Sequence, residues 1–244
     1  MLSKSKLKYI QTLGQKKFRQ QEQLFIAEGP KLVKELLDER NASVKEVFAL
    51  REWIEENNHS IGKTYCEEIS EIELGRISQL STPNKVLAVL TQFETDELIT
   101  TKGKITLVLD NIQDPGNLGT IIRIADWFGL EQLICSEDSV DLYNSKVVQA
   151  TMGSIARIKV SYKDLEDWLP EQHDIPVYAT ALAGKEITTI KKLNEGILII
   201  GNESKGISPS IMKLATEKIT IFRKGKAESL NAAVATGIIL SHIC

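Results

Sequence analysis

Three short segments of this chain combine side chains that could hold a ligand or a reacting group. The first, residues 111–123, is a polar turn followed by helical residues that include Arg123. The second, residues 201–209, places two glycines around Glu203, and the third, residues 221–235, carries a serine and an asparagine behind a cationic stretch. Guanidinium, carboxylate, amide and hydroxyl groups can orient a polar substrate and assist the transfer of a proton.

The first segment contains Asp114-Pro115-Gly116-Asn117, which is strong turn chemistry because proline presets φ and glycine accepts a positive φ. Asn117 is expected to cap the helix that follows. On that helix the apolar side chains share one face, and Arg123 points away from it. Taken alone, this pattern is typical of a solvent-exposed helix residue.

The other two segments are equally ambiguous by themselves. Glycine lets a backbone approach a bound ligand closely, yet the second segment lacks the residue order of a nucleotide-binding loop and fits a plain tight turn as well. In the third segment, Ser229 is expected to cap a helix that runs to the C-terminus. Ala232, Ala233 and Ala235 are small enough for a close helix contact, so a well-capped core helix is the alternative interpretation.

The elements around these segments alternate between strands and helices. A helix is expected over Leu118–Phe128, with Gly129 at its C-terminal end. Apolar runs predict strands at residues 105–110, 132–135, 155–160, 177–180, 197–201 and 219–222. This alternation predicts a parallel α/β sheet, in which ligands gather at the carboxyl ends of the strands.

The residues before this sheet predict a smaller α/β domain of their own. Strands are expected at residues 24–27, 47–50 and 86–90, and a helix at residues 30–40. The polar stretch that joins the two parts is expected to be a linker.

Composition excludes some classes of protein and leaves others open. The chain has 244 residues, 42% of them hydrophobic, and a net charge of −3. No apolar run approaches the roughly 18 residues of a membrane helix, no secretory signal is expected, and the scattered cysteines favour a reducing cytosol. The first 21 residues contain no acid and six cations, which either meet phosphates or form a solvated helical face. These cations are Lys4, Lys6, Lys8, Lys16, Lys17 and Arg19.

Together, and in this order, the three segments closely resemble the signature motifs of the SpoU (TrmH-like) RNA 2′-O-ribose methyltransferases, which belong to the SPOUT class. The matching residues are Asn111, Asp114, Pro115, Asn117, Gly119 and Arg123 in motif one, Gly201, Glu203 and Gly206 in motif two, and Ser229, Leu230 and Asn231 in motif three. Near the N-terminus, Phe25-Ile26-Ala27-Glu28-Gly29 resembles the signature of the family's substrate-binding domain, which is similar to the ribosomal L30e fold.

The resemblance implies an L30e-like domain over residues 1–96, a linker over residues 97–104, and a methyltransferase domain over residues 105–244 whose C-terminal part forms a trefoil knot. It implies a homodimer that transfers a methyl group from S-adenosylmethionine to a ribose 2′-hydroxyl of RNA. The three cysteines have no metal-like spacing, so no metal ion is expected, and a cytoplasmic location is expected from the same cysteine usage. Ribosomal RNA is the expected substrate, because many transfer RNA enzymes of the family lack the L30e-like domain.

The resemblance also implies the residues of the site. Those expected to bind the cofactor are Thr180, Ala181, Leu182, Ile200, Gly201, Asn202, Ile221 and Leu230. Those expected to line the target site are Asn111, Arg123, Glu203, Ser229 and Asn231. The charge pattern, and not the resemblance, predicts the phosphate contacts, which are the six cations at the start of the chain with Arg223, Lys224 and Lys226. No histidine matches a motif.

Motif one supplies the arginine that family proposals make the base for the hydroxyl proton. Because arginine rarely gives up its proton in proteins, we expect Arg123 to clamp the adjacent phosphate and to stabilise the developing alkoxide. Ser229 and Asn231 would hydrogen-bond the ribose, and Glu203 would orient its partners.

One departure from the family concerns the start of motif three. The family usually has Ile-Pro-Met there, whereas this chain has Ile221-Phe222-Arg223. Loss of the proline frees the backbone and adds an amide donor, so the cofactor contacts are expected to differ in detail.

Two other classes of protein are alternative interpretations of the sequence. A dinucleotide-binding oxidoreductase would need a glycine-rich fingerprint after an early strand, and this chain has none. A non-catalytic RNA-binding relative would be expected to lack Arg123 or Asn231, and both are present. Transfer RNA remains the alternative substrate, and the sequence does not name the nucleotide.

Overall fold

The computed structural model describes residues 1–94 and 99–244 of the chain. These residues form two compact units. Unit 1 contains residues 1–94 and 141–156, and unit 2 contains the remainder. The predicted domain end at residue 96 and the first two residues of the predicted linker, 97 and 98, lie outside the described residues.

The helices of the described residues are α1 (Lys4–Thr12), α2 (Lys16–Glu22), α3 (Pro30–Asp38), α4 (Arg51–Ile61), α5 (Glu71–Ile77), α6 (Pro115–Trp127), α7 (Ser145–Thr151), α8 (Leu165–Trp168), α9 (Pro209–Lys213) and α10 (Ala232–Ile243). The strands are β1 (Leu24–Glu28), β2 (Val44–Ala49), β3 (Tyr65–Glu68), β4 (Val86–Thr91), β5 (Ile105–Asp110), β6 (Gln132–Ser136), β7 (Lys159–Lys163), β8 (Val177–Glu186), β9 (Gly196–Gly201) and β10 (Glu217–Thr220). None of these helices is long and apolar enough to cross a membrane.

In unit 1, four strands form a mixed sheet in the order β1-β4-β2-β3. Strand β4 pairs antiparallel with β1 and β2, whereas β3 runs parallel to β2 at the edge. Buried strands have the apolar runs that predict them, and β4 is buried along nearly its whole length. Strand β3 has no such run because none of its residues is fully buried, and the sequence does not predict it.

Residues 141–156 pack into unit 1, although the sequence predicts one continuous methyltransferase domain from residue 105 onward. Helix α7 contacts β1, and the Tyr143 ring centroid lies 4.9 Å from that of Phe25. Asp141 accepts a hydrogen bond of 2.7 Å from the guanidinium of Arg19. The division differs from the prediction because the apolar side chains of this segment are buried against the N-terminal sheet.

The strand predicted at residues 155–160 is wrong for its first half. A short 3-10 helix, Ser154–Ala156, follows Gly153, whose φ of +96° takes the chain out of extended geometry. Strand β7 starts only at Lys159. The apolar run that suggested a strand at Ile155 is buried for a different reason, because it belongs to unit 1.

Unit 2 is built on the predicted parallel sheet, in the order β10-β8-β9-β5-β6-β7. Every neighbouring pair in it is parallel. The chain order changes direction at β5, with β6 on one side and β9 on the other. Asp110 at the end of β5 pairs with Gly201 at the end of β9, so the loops that carry motifs one and two leave the sheet side by side. Such a switch point is where ligands bind in open α/β sheets.

Candidate functional site

Asn111 begins the motif-one loop in a left-handed conformation, with a φ of +58° that asparagine tolerates better than most residues. Its backbone N–H donates to the Ser136 hydroxyl at 2.8 Å, and its carbonyl accepts from the Asn202 side-chain amide at 2.9 Å. The backbone of Asn111 therefore ties together the ends of β5, β6 and β9.

Asp114, and not Asn117, caps helix α6. An Asp114 carboxylate oxygen accepts from the Asn117 backbone N–H at 2.8 Å. The prediction that Asn117 is the cap is wrong because Pro115 occupies the first helical position, where its missing N–H costs nothing. The Asn117 side chain, only 8% exposed, is thereby free for another role.

The Asn117 side chain connects the three motif loops. Its Nδ2 donates to a carboxylate oxygen of Glu203, and its Oδ1 accepts from Nδ2 of Asn231 at 2.7 Å. Glu203 and Asn231, both predicted site residues, are therefore brought together by a third residue that the site prediction omitted. The sequence does contain a signal for this role, because Asn117 belongs to motif one.

Asn231 also caps helix α10, which begins at Ala232. Its Oδ1 accepts from the backbone N–H groups of Ala233 and Val234 at 3.0 and 3.2 Å. The prediction that Ser229 is the cap is wrong, because residues 222–231 form an exposed stretch before the helix. With one amide hydrogen given to motif one, Asn231 keeps one hydrogen for a further acceptor.

Arg123 is exposed on helix α6, on the face opposite the buried Ile121 and Ile122. It lies about two helical turns beyond Asn117. Trp127 follows four residues later on the same face and is 85% exposed. The face of α6 that carries Arg123 is thus free of packing within unit 2.

The motif-two loop is a tight turn closed by backbone hydrogen bonds. The Asn202 N–H donates to the Gly206 carbonyl at 3.1 Å, and the Gly206 N–H donates back at 2.8 Å. The Asn202 side-chain oxygen accepts from the backbone of Ser204 and Lys205 inside the loop. Glu203 lies half-buried in this turn, where its carboxylate accepts the hydrogen bond from Asn117.

Gly201 is required by this turn itself. A Cβ at Gly201 would overlap the carbonyl carbon of Gly206 and the nitrogen of Ile207, which are backbone atoms of the same loop. The sequence predicts Gly201 as a cofactor-binding residue, at which the absence of a side chain would let the backbone approach the ligand. In the structure, a side chain at Gly201 would overlap protein backbone atoms, so glycine is needed at this position for the loop to fold.

Strand β8 interrupts its pairing where Thr180, Ala181 and Leu182 are predicted to bind the cofactor. It pairs with β9 as far as Ala179, and its register on β10 moves from Ala179 directly to Lys185. The residues between Ala179 and Lys185 have no partner in the β10 register, and residues 182–184 are exposed, so this part of β8 forms a bulge at the surface.

Two threonine hydroxyls and one glycine hold this bulge in place. The Thr180 hydroxyl donates to a carbonyl of β9 at 3.0 Å, and the Thr220 hydroxyl donates to the Leu182 carbonyl at 3.3 Å. A Cβ at Gly184 would stand 2.6 Å from the Lys218 carbonyl oxygen, so a side chain is excluded there. Strand β10 ends at Thr220, earlier than predicted, which leaves Ile221 and Phe222 beyond the sheet.

These observations fit S-adenosylmethionine, the cofactor that the resemblance implies. The exposed bulge in β8 places backbone groups where they could hydrogen-bond to the edge of the adenine ring, apart from the Leu182 carbonyl, which already accepts from Thr220. Ile221 and Leu230 offer partly exposed apolar surface, while Ile200 is buried at the end of β9. The side-chain oxygen of Asn111 is buried and has no hydrogen-bond partner among the described residues. Such an orphaned acceptor costs about 1–3 kcal/mol, which a donor on a bound ligand would recover.

The basic start of the chain is less available to a polyanion than its sequence suggests. Arg19 is 4% exposed, and its guanidinium donates to two backbone carbonyls at 3.0 and 2.8 Å as well as to Asp141. Its prediction as a phosphate contact is wrong, because these bonds bury it inside unit 1. Lys6 pairs with Glu46 at 2.5 Å. The other four cations, Lys4, Lys8, Lys16 and Lys17, are exposed.

Groups suited to metal binding or covalent catalysis do not gather at this site. Across residues 1–94 and 99–244, no three His, Cys, Asp or Glu side chains come together in a way that could hold a metal ion. The Cys135 thiol lies inside β6, and burial raises its pKa, which makes it a poor nucleophile.

Two family models match the chain. The model of the SpoU rRNA Methylase family matches residues 104–241, and that of the MRM3-like substrate binding domain matches residues 4–88. The chain is also 32% identical over 241 residues to the 23S rRNA (guanosine(2553)-2′-O)-methyltransferase RlmP of Bacillus subtilis. This match covers 98% of this chain and 95% of the relative.

Solved structures agree with these matches. The AdoMet-bound rRNA methyltransferase from Sinorhizobium meliloti is 31% identical and has a TM-score of 0.86, covering 100% of this chain and 96% of its own. The TrmH/SpoU tRNA modifying enzyme from A. aeolicus is 26% identical, with a TM-score of 0.50 over 58% of this chain and 74% of its own. The motif residues, the parallel sheet and the family model, which spans more than half of the sequence, agree: the chain belongs to the SpoU family of S-adenosylmethionine-dependent RNA methyltransferases.

Proposed function

We propose that this enzyme methylates the 2′-hydroxyl of a ribose in ribosomal RNA. The observation that carries the proposal is the hydrogen-bonded set of Glu203, Asn117 and Asn231, which leaves an amide hydrogen and a carboxylate oxygen to meet a hydroxyl group. The named reaction of the Bacillus subtilis relative, 2′-O-methylation of a guanosine in 23S rRNA, supports the same acceptor.

Coverage of the relatives favours ribosomal over transfer RNA. RlmP of Bacillus subtilis and the rRNA methyltransferase of Sinorhizobium meliloti match along nearly the whole chain. The tRNA modifying enzyme from A. aeolicus matches only 58% of it. We therefore assign unit 1 to the recognition of ribosomal RNA, with Lys4, Lys8, Lys16 and Lys17 as its exposed cations. Transfer RNA is the alternative.

S-adenosylmethionine supplies an electrophilic methyl group and leaves as a neutral thioether, while the hydroxyl proton passes to solvent water. The protein therefore mainly has to align the hydroxyl oxygen and lower the cost of its developing negative charge. Arg123 is proposed to clamp the phosphate beside the target ribose and to stabilise that charge, since guanidinium rarely gives up its proton. Asn231 donates its remaining amide hydrogen to the ribose, and the exposed Ser229 assists it. Glu203 orients Asn117 and thereby Asn231.

We further propose that the enzyme is a homodimer whose interface lies on helices α6 and α10. Three large apolar side chains are exposed on these two helices, namely Trp127 at 85%, Val234 at 52% and Ile238 at 37%. The helices pack against each other, so these side chains belong to one surface of unit 2. The trefoil knot and a cytoplasmic location, the latter following from a ribosomal RNA substrate, stay predictions.

The proposal is tested with purified protein, S-adenosylmethionine carrying a labelled methyl group, and ribosomal RNA from a strain that lacks the gene. A ribose 2′-O-methyl group blocks alkaline cleavage of the neighbouring phosphodiester, so the label should remain in alkali-resistant dinucleotides. Label that is recovered on a base would refute the acceptor. Label taken up by transfer RNA and not by ribosomal RNA would refute the substrate.

Variants at Arg123 separate catalysis from folding. Arg123→Ala should slow methyl transfer by about a hundredfold or more while cofactor affinity is kept, and Arg123→Lys should retain part of the rate. Lys213→Ala, an exposed cation on α9 outside the motifs, is the matched control and should behave as wild type. Wild-type turnover by Arg123→Ala would show that this arginine is an ordinary surface residue.

A further inference from the structure

Phe222 is an exposed aromatic residue where the family usually has proline. It lies two residues beyond the end of β10, and its side chain is 57% exposed. Phenylalanine is among the residues most often buried, so a ring that stands in solvent beside a functional site calls for a partner.

Phe222 and the four residues after it form a cationic turn, residues 222–226. The Arg223 guanidinium donates to the Ala227 carbonyl at 3.0 Å, which folds the turn back on itself. Arg223, Lys224 and Lys226 are all exposed. A guanidinium has five N–H donors, so Arg223 can hold this turn and still bind an anion.

We propose that Phe222 is a stacking platform for a nucleobase of the RNA substrate, and that the cations of the same turn hold the phosphates on either side of that base. This inference rests on the proposed RNA substrate. It makes Phe222 a residue that favours nucleotides whose bases are not already stacked. Base stacking on aromatic rings next to backbone-binding cations is a general mode of single-strand binding.

Charge complementarity identifies the base as one of the RNA and not the adenine of the cofactor. S-adenosylmethionine contains no phosphate and carries a positively charged sulfonium, so three cations within four residues of Phe222 do not favour it. RNA presents one negative phosphate per nucleotide, which suits an aromatic ring that is followed directly by three cations. Thr220 ties the preceding residues to the predicted cofactor bulge, so the platform begins beside that bulge.

A consequence follows for the kind of RNA that this enzyme accepts. A base inside a duplex is already stacked on both faces and cannot lie on Phe222 without being unstacked. The platform therefore favours a target region that is unpaired, such as a loop, over a continuous helix.

The test uses the full-length protein and two synthetic strands of about ten nucleotides, a length within the usual single-strand site size. One strand is oligoadenylate, and the other has the same ribose-phosphate backbone without bases. Phe222→Ala and Phe222→Leu remove the ring, Phe222→Trp keeps an aromatic face, and affinity is measured by fluorescence anisotropy. We expect both ring-less variants to bind oligoadenylate about tenfold more weakly, and the tryptophan variant to bind it as wild type. Binding of the abasic strand should be equal in all four proteins.

Affinity for S-adenosylmethionine and the mass in solution are measured on the same proteins and should be unchanged. Equal oligoadenylate affinity in wild type and Phe222→Ala would overturn the inference. A loss of cofactor affinity would show that Phe222 belongs to the cofactor pocket, and a change in mass would show that it belongs to an interface between copies. Either result also overturns the inference. If wild type itself binds no RNA, the proposed function fails. If wild type binds and methylates RNA regardless of Phe222, only the platform fails.

Discussion

Replacing Gly201 with alanine is expected to destabilise unit 2 more than the same replacement at Gly206, although both glycines bracket one loop. At Gly201 the new Cβ would overlap two backbone atoms of residues 206 and 207, which cannot move unless the loop opens. At Gly206 no other described atom lies within 4 Å of a Cβ, and the cost arises from its φ of +71° alone.

The magnitudes follow from these contacts. Opening the loop gives up the two backbone hydrogen bonds between Asn202 and Gly206, at about 1 kcal/mol each, and residual crowding adds about 1–2 kcal/mol. Gly201→Ala should therefore cost about 3–4 kcal/mol, whereas Gly206→Ala should cost about 1 kcal/mol for its left-handed backbone. At about 3 °C per kcal/mol for a chain of this size, the melting temperatures should fall by about 10 °C and about 3 °C.

Thermal unfolding followed by circular dichroism, with and without S-adenosylmethionine, measures both effects. Calorimetric titration with the cofactor then shows whether binding is lost only when the loop is destabilised. Equal drops in melting temperature, or a larger drop for Gly206→Ala, would refute the reasoning. So would a Gly201→Ala protein of wild-type stability that no longer binds the cofactor, because the side chain would then meet the ligand and not the loop.

Three further outcomes are expected. Asn117→Ala should slow single-turnover methyl transfer by about a hundredfold, because Glu203 and Asn231 lose the side chain that aligns them. Affinity for the cofactor should be unchanged. An unchanged rate would contradict the role of this hydrogen-bonded link. Arg19→Met should lower the free energy of unfolding measured in urea by about 3 kcal/mol, because it breaks the buried ion pair with Asp141. The control Lys17→Gln changes an exposed side chain and should alter that free energy by less than about 0.5 kcal/mol. Similar values for both variants would contradict the burial of Arg19. Burial raises the pKa of Tyr143 to about 12, so the folded protein favours the neutral phenol. The stabilisation that results is complete below pH 10 and is lost as the pH rises from 10 toward 12. Tyr143→Phe should therefore flatten the dependence of the free energy of unfolding on pH in that range.

The two predicted helix caps show why a correct motif can still be given a wrong local role. Asn117 and Ser229 are both good capping residues by type, and each stands close to a helix start. Helix α6 begins at Pro115, so its cap is Asp114. Helix α10 begins only at Ala232, so its cap is Asn231. Capping depends on the position of the first helical residue, which residue type predicts only to within a few positions.

The basic start of the chain shows a second limit. A count of charges treats Arg19 and Lys17 alike, yet one is buried and the other exposed. The difference arises from Asp141, which lies 122 positions away in the sequence. A charge pattern carries no information about a partner so distant.

The family, the parallel sheet and the three motif loops could be predicted from the sequence, because each is a local property of the chain. Buried parallel strands such as β5 and β9 require continuous apolar runs, and the turns between strands and helices require proline and glycine. Three facts required the three-dimensional structure: Asn117 joins Glu203 to Asn231, the motif-two loop needs Gly201, and residues 141–156 pack with unit 1. These facts depend on which distant residues meet, and a one-dimensional pattern contains no distances between them.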